Sequence, residues 1–197
     1  MFKNNNLFTI VLLNSIQPLS ESLNKFLSSS LKSQHFKKNE ILVNEGEVCK
    51  YIYVIRKGLI RGFFNYKKKQ ITNWVSVDGE MVTSISGYFK NEPAQENIQC
   101  LEDTYAECIS YEDFHFALKN FKEMEALSRI ILEKYYLFAE YRAFASRIPS
   151  SKGRYEYFIK NNHPEIIKRT PKKYLASLLN MRPETLSRIE KNAVMCV

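Results

Sequence analysis

Short apolar segments separated by turn residues fill the chain from residue 40 to residue 110. They are rich in Ile, Val, Tyr and Phe, and they read EILVNEG, YIYVIRKG, LIRGFFNY, QITNWVSVDGE and TYAECIS. Gly46, Gly58, Gly79 and three lysines at 67–69 stand between them. Regular short strands with such turn signals indicate an antiparallel sandwich or barrel. Gly58 and Gly79 suit turns that need a positive φ.

The periodicity becomes helical after residue 110, and no Gly or Pro occurs from 111 to 148. The apolar positions form three sets: Met124, Ile131, Phe138 and Ala145 at intervals of seven, Ile130, Leu137 and Phe144 beside them, and Leu127, Tyr141 and Ile148 in the gaps. This pattern predicts one long helix with a wide apolar stripe. The stripe can pack on the strand domain, on a second copy of the chain, or on both. The residues expected at a dimer interface are Met124, Leu127, Ile131, Phe138, Tyr141, Ala145 and Ile148.

The N-terminal segment NLFTIVLLNSI is expected to form a helix that packs its apolar side on the body. Its apolar run is at the short limit for a signal peptide, and it lacks an A-x-A-like exit. No run approaches the roughly 18 apolar residues that a membrane span needs. The sequence therefore predicts a cytoplasmic protein without a membrane partner.

Two short helices joined by a tight turn are predicted near the C-terminus. Pro149 ends the long helix, and the segments SKGRYEYFIKNN and HPEIIKR follow it. Thr170 is expected to cap the helix PKKYLASLL, with Pro171 at its first position. Asn180 can adopt the left-handed conformation in the turn, and Pro183 opens the helix PETLSRIEKN. This arrangement is typical of a helix-turn-helix, although an αα-hairpin that only packs would share it.

The positive charge of the protein is concentrated in this same region. Residues 1–140 hold 17 Lys or Arg and 17 Asp or Glu, whereas residues 141–197 hold 12 and 4. The last 57 residues therefore carry the whole net charge of +8. A neutral body with a basic end favours a polyanionic partner at that end.

The second short helix would bury Leu186 and Ile189 and present a polar face to the major groove. Arg can read guanine, Glu can accept from cytosine and Thr can touch the thymine methyl group. Arg188 and Glu184 are expected to read bases, and lysines are expected to contact phosphates. The predicted DNA-binding residues are Thr170, Lys172, Lys173, Arg182, Glu184, Thr185, Ser187, Arg188 and Lys191.

The segment RTPKKYLASLLNMRPETLSRIEKN resembles the C-terminal helix-turn-helix of Crp/Fnr transcription regulators, with their E-T-x-x-R signature at Glu184, Thr185 and Arg188. GEVCKYIYVIRKGLIR resembles early strands of that family, and VDGEMVTSISGYF resembles the approach to its ligand cassette. The resemblance implies an α+β fold. It comprises an N-terminal helix and an antiparallel β-roll (a double-stranded β-helix) over 1–110, a long dimerisation helix over 111–148 and a helix-turn-helix domain over 149–197. It also implies a homodimer that binds a palindromic site in double-stranded DNA, with RNA polymerase as a further candidate partner.

The ligand cassette of this chain departs from that of the family. Its Gly-Glu and Arg-Ser pairs correspond roughly to Thr83-Ser84 and Gln95-Glu96, so the arginine for the phosphate is missing. Cyclic nucleotide is therefore not expected, and no other cofactor is predicted. A neutral ligand or a filled interior would both be consistent with the candidate pocket residues Trp74, Ser84, Ser86, Gly87, Tyr88, Phe89, Gln95 and Glu96. The segment HPEIIKR also leaves little room for the β-wing of better-known members.

Enzymatic function is not expected. His35, His115 and His163 stand far apart in the sequence, and the cysteines at 49, 100, 108 and 196 lack metal-type spacing. Cupin-like rolls hold a catalytic metal with clustered ligands, so a metal site is not predicted. The alternative to a DNA-binding regulator is a ligand-sensing β-roll that regulates a protein partner.

Overall fold

A computed structural model describes residues 7–194, with side chains through Asn192, so the predicted thiol of Cys196 lies outside the described residues. In this part of the chain the strands are β1 (Lys32–Phe36), β2 (Ile41–Val43), β3 (Tyr51–Lys57), β4 (Leu59–Tyr66), β5 (Lys69–Val77), β6 (Met81–Val82), β7 (Asn97–Cys100) and β8 (Thr104–Ser110). The helices are α1 (Phe8–Ile16), α2 (Glu21–Ser30), α3 (Ile85–Phe89), α4 (Tyr111–Asn120), α5 (Lys122–Arg147), α6 (Ser151–Asn161), α7 (Pro164–Arg169), α8 (Lys172–Leu178) and α9 (Pro183–Val194).

The strands form two antiparallel sheets that enclose the main core. One sheet has the order β1-β8-β3-β6 and the other has the order β2-β7-β4-β5. Ile55 from the first sheet and Ile60 and Ile98 from the second are fully buried in this core. The predicted antiparallel roll is confirmed. Sequence inspection missed β1, β6 and β7 because they are short, or lie in polar segments, and their apolar alternation is weak.

At three positions the backbone of the roll requires a residue without a side chain, and glycine occupies each of them. Gly58 and Gly79 have φ of 148° and 81°, as the turn pattern predicted. Gly62 in β4 faces Trp74 in β5, and a Cβ atom at Gly62 would lie 2.1 Å from Cε2 of Trp74. Glycine at position 62 therefore allows the indole to lie flat against the backbone.

The N-terminal helix α1 is attached to the roll through a buried carboxylate. Glu107 in β8 is 3% exposed and accepts hydrogen bonds from the backbone N–H groups of Phe8 and Thr9, at 2.9 and 2.7 Å. A carboxylate at a helix N-terminus accepts hydrogen bonds from otherwise unpaired N–H groups. Its negative charge also interacts favourably with the positive end of the helix dipole. Ile10 and Leu13 are buried, so the predicted packing of this helix is confirmed.

The predicted single helix over 111–148 is wrong, because the chain breaks at Phe121. That residue has φ −130° and ψ 112°, which separates α4 from α5. No Gly or Pro marks the break. Met124 and Leu127, placed at the dimer interface by the sequence pattern, are 5% and 0% exposed in the core of their own protomer. Their side chains are therefore already packed within the protomer, and their place at a dimer interface stays a prediction.

A separate apolar stripe on α5 faces away from the roll. Ile130, Leu137 and Phe144 recur every seven residues and are 37%, 46% and 53% exposed. The remaining residues of the predicted interface, Ile131, Phe138, Tyr141, Ala145 and Ile148, are half-buried. Ile131 packs against the main core. The exposed residues therefore lie on a different side of α5 from most residues of the predicted dimer interface.

The C-terminal helices share a second core with the roll. Leu175, Ala176, Leu179 and Leu186 from the C-terminal helices pack with residues of the second sheet and of the turn that follows it, which are Leu59, Val75, Val77 and Leu101. The helical region is therefore docked on the outer face of the β2-β7-β4-β5 sheet.

Candidate nucleic-acid interface

Helices α8 and α9 form the predicted helix-turn-helix. Asn180 in the connecting turn has φ 50°, the left-handed conformation expected for it. Leu186 is completely buried and Ile189 packs on the same core, which orients the opposite side of α9 toward solvent. Pro183 is the first residue of α9, as predicted.

The start of α8 differs from the prediction. Pro171, rather than Thr170, occupies the N-cap, and the helix begins at Lys172. Thr170 is 5% exposed, and its hydroxyl has no hydrogen-bond partner in the described residues. The side chain of Thr170 therefore does not reach the surface in this conformation, and its contact with DNA stays a prediction.

The lysines at the start of α8 differ in their availability. Lys172 Nζ lies 2.6 Å from Glu190 Oε2 on α9, so the ion pair ties the two helices together and engages the charge expected to contact phosphate. Lys173 Nζ lies 4.6 Å from the centre of the Tyr174 ring and remains exposed. Of the two, only Lys173 keeps its ammonium group free of a described carboxylate.

The solvent face of the helix-turn-helix presents most of the predicted contact residues. Arg182, Glu184, Arg188 and Lys191 are exposed, whereas Thr185 and Ser187 are half-buried. The described ion pairs involve none of the four exposed charges. Their side chains can therefore approach base edges or phosphates without first breaking a salt bridge.

Arg154 holds the turn of the helix-turn-helix against the end of α5. Its guanidinium donates to the carbonyl oxygens of Leu179 and Asn180 at 2.8 and 3.0 Å. It also donates to the carbonyls of Ile148 and Pro149, at 2.8 and 2.9 Å. One side chain thus caps both segments. Sequence analysis missed this role, because nothing in the local pattern distinguishes Arg154 from a solvated charge.

No strand occurs between Ser110 and Val194 in the part of the chain that the structure describes. The segment HPEIIKR instead forms α7, capped by the side chain of His163, which accepts from the N–H of Glu165. The described residues therefore lack a β-wing beside the helix-turn-helix, in agreement with the short spacing in the sequence.

A buried arginine lies where α8 meets the roll. Arg61 in β4 is 1% exposed, and its guanidinium lies between the rings of Phe63 and Tyr174, at 4.0 and 3.7 Å from their centres. It donates to the side-chain oxygens of Gln99 and Gln70 at 2.9 and 2.7 Å. Burial lowers its pKa. An arginine among apolar strand residues was the available sequence signal for this contact.

An ion-pair cluster reinforces the docking at the end of α7. Arg169 donates to both carboxylate oxygens of Glu102 and to Asp78, with shortest distances of 2.7 Å to each residue. The hydrogen bonds to Glu102 raise the pKa of Arg169. Burial alone would raise the pKa of Asp78, but hydrogen bonds from Arg169 and Gly58 outweigh it and lower that pKa. The cluster joins α7 to two turns of the roll.

The candidate pocket residues do not line one common cavity. Tyr88 and Ser84 are 0% and 1% exposed, and Gly87 is also buried against Ala94. The Tyr88 hydroxyl donates to the carbonyl of Ser110 at 3.3 Å. These three positions fill the interior of the roll. Gln95 is exposed and Ser86 is half-buried, so the predicted set is only partly a pocket.

Trp74 and Phe89 from the predicted set do line a cavity of about 710 Å³ between the roll and α5. Most of its wall is apolar, and its polar lining includes the half-buried Glu80, Tyr135 and Arg142 and the exposed Lys134. The Tyr135 hydroxyl accepts from the N–H of Met81 at 2.5 Å. Sequence analysis missed the three half-buried residues because Glu80 precedes β6 whereas Tyr135 and Arg142 lie far along the chain on α5.

Glu80, Lys134 and Arg142 line this cavity, and Glu96, which lies outside the lining, hydrogen-bonds to its wall residue Trp74. Glu96 accepts a hydrogen bond from Trp74 Nε1 at 2.9 Å, and burial raises the pKa of both Glu96 and Glu80. Burial lowers the pKa of Arg142, although both carboxylates oppose that effect. Lys134 also acts on Glu80, so both cations of the lining already have a carboxylate nearby. These residues do not fit a cyclic phosphate, which needs an uncompensated cation and donors.

Comparison with known proteins identifies the domain and the fold. Residues 33–121 match the family model of the cyclic nucleotide-binding domain. The comparison with curated proteins gave no match. The structure is similar to that of FixK2 from Bradyrhizobium japonicum, with a TM-score of 0.72, 14% identity and coverage of 84% of this chain and 85% of that one.

Two further structures are similar over most of both chains. A CooA variant from Carboxydothermus hydrogenoformans gives a TM-score of 0.69 and 16% identity, covering 98% of this chain and 85% of that one. A Crp/Fnr transcriptional regulator from Eubacterium rectale gives 0.69 and 18% identity, with 92% and 85% covered. The chain therefore has the Crp/Fnr fold, with a roll of the cyclic nucleotide-binding type.

Two features of other protein classes are absent from the described residues. No helix among them is both long and apolar enough to cross a membrane. Residues 7–194 also contain no group of three or more His, Cys, Asp or Glu side chains that could hold a metal ion.

Proposed function

We propose that this protein is a sequence-specific DNA-binding transcription regulator that acts as a homodimer. The observation that carries the proposal is the exposed face of α9 and its preceding turn, where Arg182, Glu184, Arg188 and Lys191 lie on a docked helix-turn-helix in the basic part of the chain. A helix with such a face can enter the major groove and read base edges from its N-terminal residues. The similar structures of Crp/Fnr regulators support this assignment.

The exposed stripe of α5 supports the homodimer. Ile130, Leu137 and Phe144 would be costly to leave in water, and a spacing of seven residues suits a pair of helices. A two-fold helix pair would place the two copies of α9 roughly 34 Å apart, facing successive major grooves. The operator would then be palindromic, with half-sites one helical turn apart.

We further propose that cyclic AMP does not gate DNA binding. The support is that neither cation of the lining is free of a nearby acid, since Glu80 and Glu96 act on Arg142 and Glu80 also faces Lys134. Thermal unfolding with millimolar cyclic AMP tests this proposal. A ligand at about 100 times its Kd would add roughly 2.7 kcal/mol to the free energy of unfolding, and we expect no such shift.

Selection of binding sites from random duplex DNA by the purified protein tests the main proposal. We expect a palindrome whose half-site centres are about 10 bp apart. Binding-site selection that returns no enriched sequence, together with no retention on DNA at low salt, would favour the alternative of a β-roll that regulates a protein partner.

A further inference from the structure

The β4–β5 hairpin ends in a basic tip beside the helix-turn-helix. Lys67, Lys68 and Lys69 are exposed, and none of them takes part in an ion pair with another described residue. At the base of the tip, the Glu45 carboxylate accepts a hydrogen bond from Asn65. Three like charges on one tight turn repel each other, so a polyanion would relieve a cost that the fold carries.

The hairpin is held against α8 rather than projecting freely. The backbone N–H of Thr72 donates to Ser177 Oγ at 3.0 Å, and Arg61 stacks on Tyr174 close to that point. Lys68 lies four residues before Thr72 in the chain. At about 3.3 Å per residue, the tip extends roughly 13 Å past this hydrogen bond. The base of the hairpin is therefore anchored to α8, and the tip extends from that anchor.

A cleft of about 850 Å³ connects the hairpin with the start of α9. Its charged lining residues are Lys69, Arg142, Arg154, Lys173 and Arg182, and no Asp or Glu is among the described residues that line it. Arg154 is engaged by backbone carbonyls and Arg142 is half-buried. Lys69, Lys173 and Arg182 are exposed, and they lead from the hairpin to the N-terminus of the helix that faces DNA.

We propose that the hairpin tip, residues 67–69, binds the phosphodiester backbone of duplex DNA adjacent to the segment contacted by α9. The inference rests on the proposed function. The DNA-binding surface then continues from the helix-turn-helix onto the β-roll. It supplies backbone contacts that the helix-turn-helix does not obtain from a wing, since α7 occupies the place of one in the described chain.

The triple variant Lys67→Gln, Lys68→Gln, Lys69→Gln tests this inference. It removes three charges and keeps polar, unbranched side chains at the tip. The matched control is Lys25→Gln, Lys119→Gln, Lys122→Gln, which removes three exposed charges from α2, α4 and the start of α5. Each protein is titrated with the selected site alone and with the same site extended by about 10 bp, one helical turn, at each end, over a range of salt concentrations.

On the extended duplex we expect the hairpin variant to bind about tenfold more weakly than wild type. The slope of log K against log[salt] should fall by about 2–3, at roughly 0.9 for each phosphate that the variant no longer neutralises. On the minimal duplex it should match the control. Equal slopes and affinities of the two triple variants on the extended duplex would overturn the inference. If wild type itself binds no DNA, the proposed function fails and the inference fails with it.

Folding of the triple variant is checked by its melting temperature, which should be no lower than that of wild type because the tip is exposed and the substitutions remove like-charge repulsion. Lys68→Gln alone provides a second measurement, with an expected slope reduction of about 0.9. A hydroxyl-radical footprint adds an independent result. Protection of the flanking backbone should disappear in the hairpin variant and persist in the control, and a footprint identical to wild type would contradict the proposal.

Discussion

At the scale of single residues, what matters for binding is whether a charged group is free or already paired with another group of the protein. On α9 the guanidinium of Arg188 is exposed and has no described partner, whereas Lys172 is tied to Glu190. Equal formal charges therefore differ in their availability for the proposed contact with DNA. The burial of Thr170 makes the same point for a hydroxyl group.

Arg188→Ala should cost about 1–3 kcal/mol of binding to the selected operator and relax one base position, because the variant cannot form a bidentate pair of hydrogen bonds with guanine. Lys191→Ala is the comparison, and it should weaken all sequences alike. Titration of the operator and of a scrambled duplex separates the two effects. A loss for Arg188→Ala that is the same on both duplexes would contradict a base-reading role.

Glu80 should give the stability of the protein a measurable pH dependence. Burial raises its pKa above the ordinary 4.5, so the folded state binds more protons than the unfolded state between 4.5 and the raised value. Stability should therefore fall as pH rises through that window. Glu80→Gln can still accept from the N–H of Val77, and it removes the charge.

We expect Glu80→Gln to be more stable than wild type at about pH 7.5 and to show little difference near pH 4.5, because the charged carboxylate is disfavoured only in the folded state. A gain of about 1 kcal/mol would raise the Tm by about 2–4 °C in a chain of this size. Melting curves at the two pH values measure the effect. A gain that is equal at both pH values would show that titration of Glu80 is not its source.

At the scale of elements, α5 carries two apolar faces with different partners. One face, with Met124 and Leu127, belongs to the core of its own protomer, and the other, with Leu137 and Phe144, is open. The proposed homodimer depends on the second face.

Leu137→Glu should produce a folded monomer with reduced operator affinity, because a carboxylate would be buried between the paired helices. Phe116→Glu on α4 is a suitable control, since Phe116 is 51% exposed and lies on a different helix. Sedimentation at micromolar concentration distinguishes monomer from dimer. A monomeric wild type, or a dimeric Leu137→Glu variant, would exclude this stripe as the interface.

The sequence predicted the elements whose signals are local. Pro183, Asn180 and the apolar positions of α9 define the helix-turn-helix without any knowledge of the roll. The break at Phe121 has no such signal, because tertiary packing of α4 and α5 overrides a continuous helical pattern. The choice between two apolar faces also depends on which of them the roll covers, and that information is not contained in the period of the helix.

At the scale of the molecule, the helix-turn-helix and the β-roll are joined by a common core and by two arginines. Arg61 contributes a buried stack on Tyr174, and Arg169 contributes the cluster with Glu102 and Asp78. Because the acids of that cluster are partly solvated, the charge contribution should be modest and sensitive to salt.

Arg169→Ala should lower the free energy of unfolding by about 1–2 kcal/mol and increase hydrogen exchange in α7 and α8. The paired carboxylates would lose their hydrogen bonds while the apolar packing of α8 remains. Raising the salt concentration should weaken wild type toward the variant. Lys168→Ala is the control, because its pair with Glu165 lies within α7. Exchange rates in α8 that are equal in Arg169→Ala and the control would contradict a docking role.

The core shared by Leu175, Leu186 and the outer face of the second sheet also limits how freely the parts of this protein can be exchanged. A helix-turn-helix grafted from this chain onto a foreign sensor would arrive with an uncovered apolar side, and the β-roll left behind would expose Leu59 and Val77. Chimeras in which the β-roll is replaced should therefore aggregate unless the β4–β5 hairpin is transferred together with the helices. In this protein the unit that can be transferred is the helix-turn-helix together with the part of the sheet on which it packs.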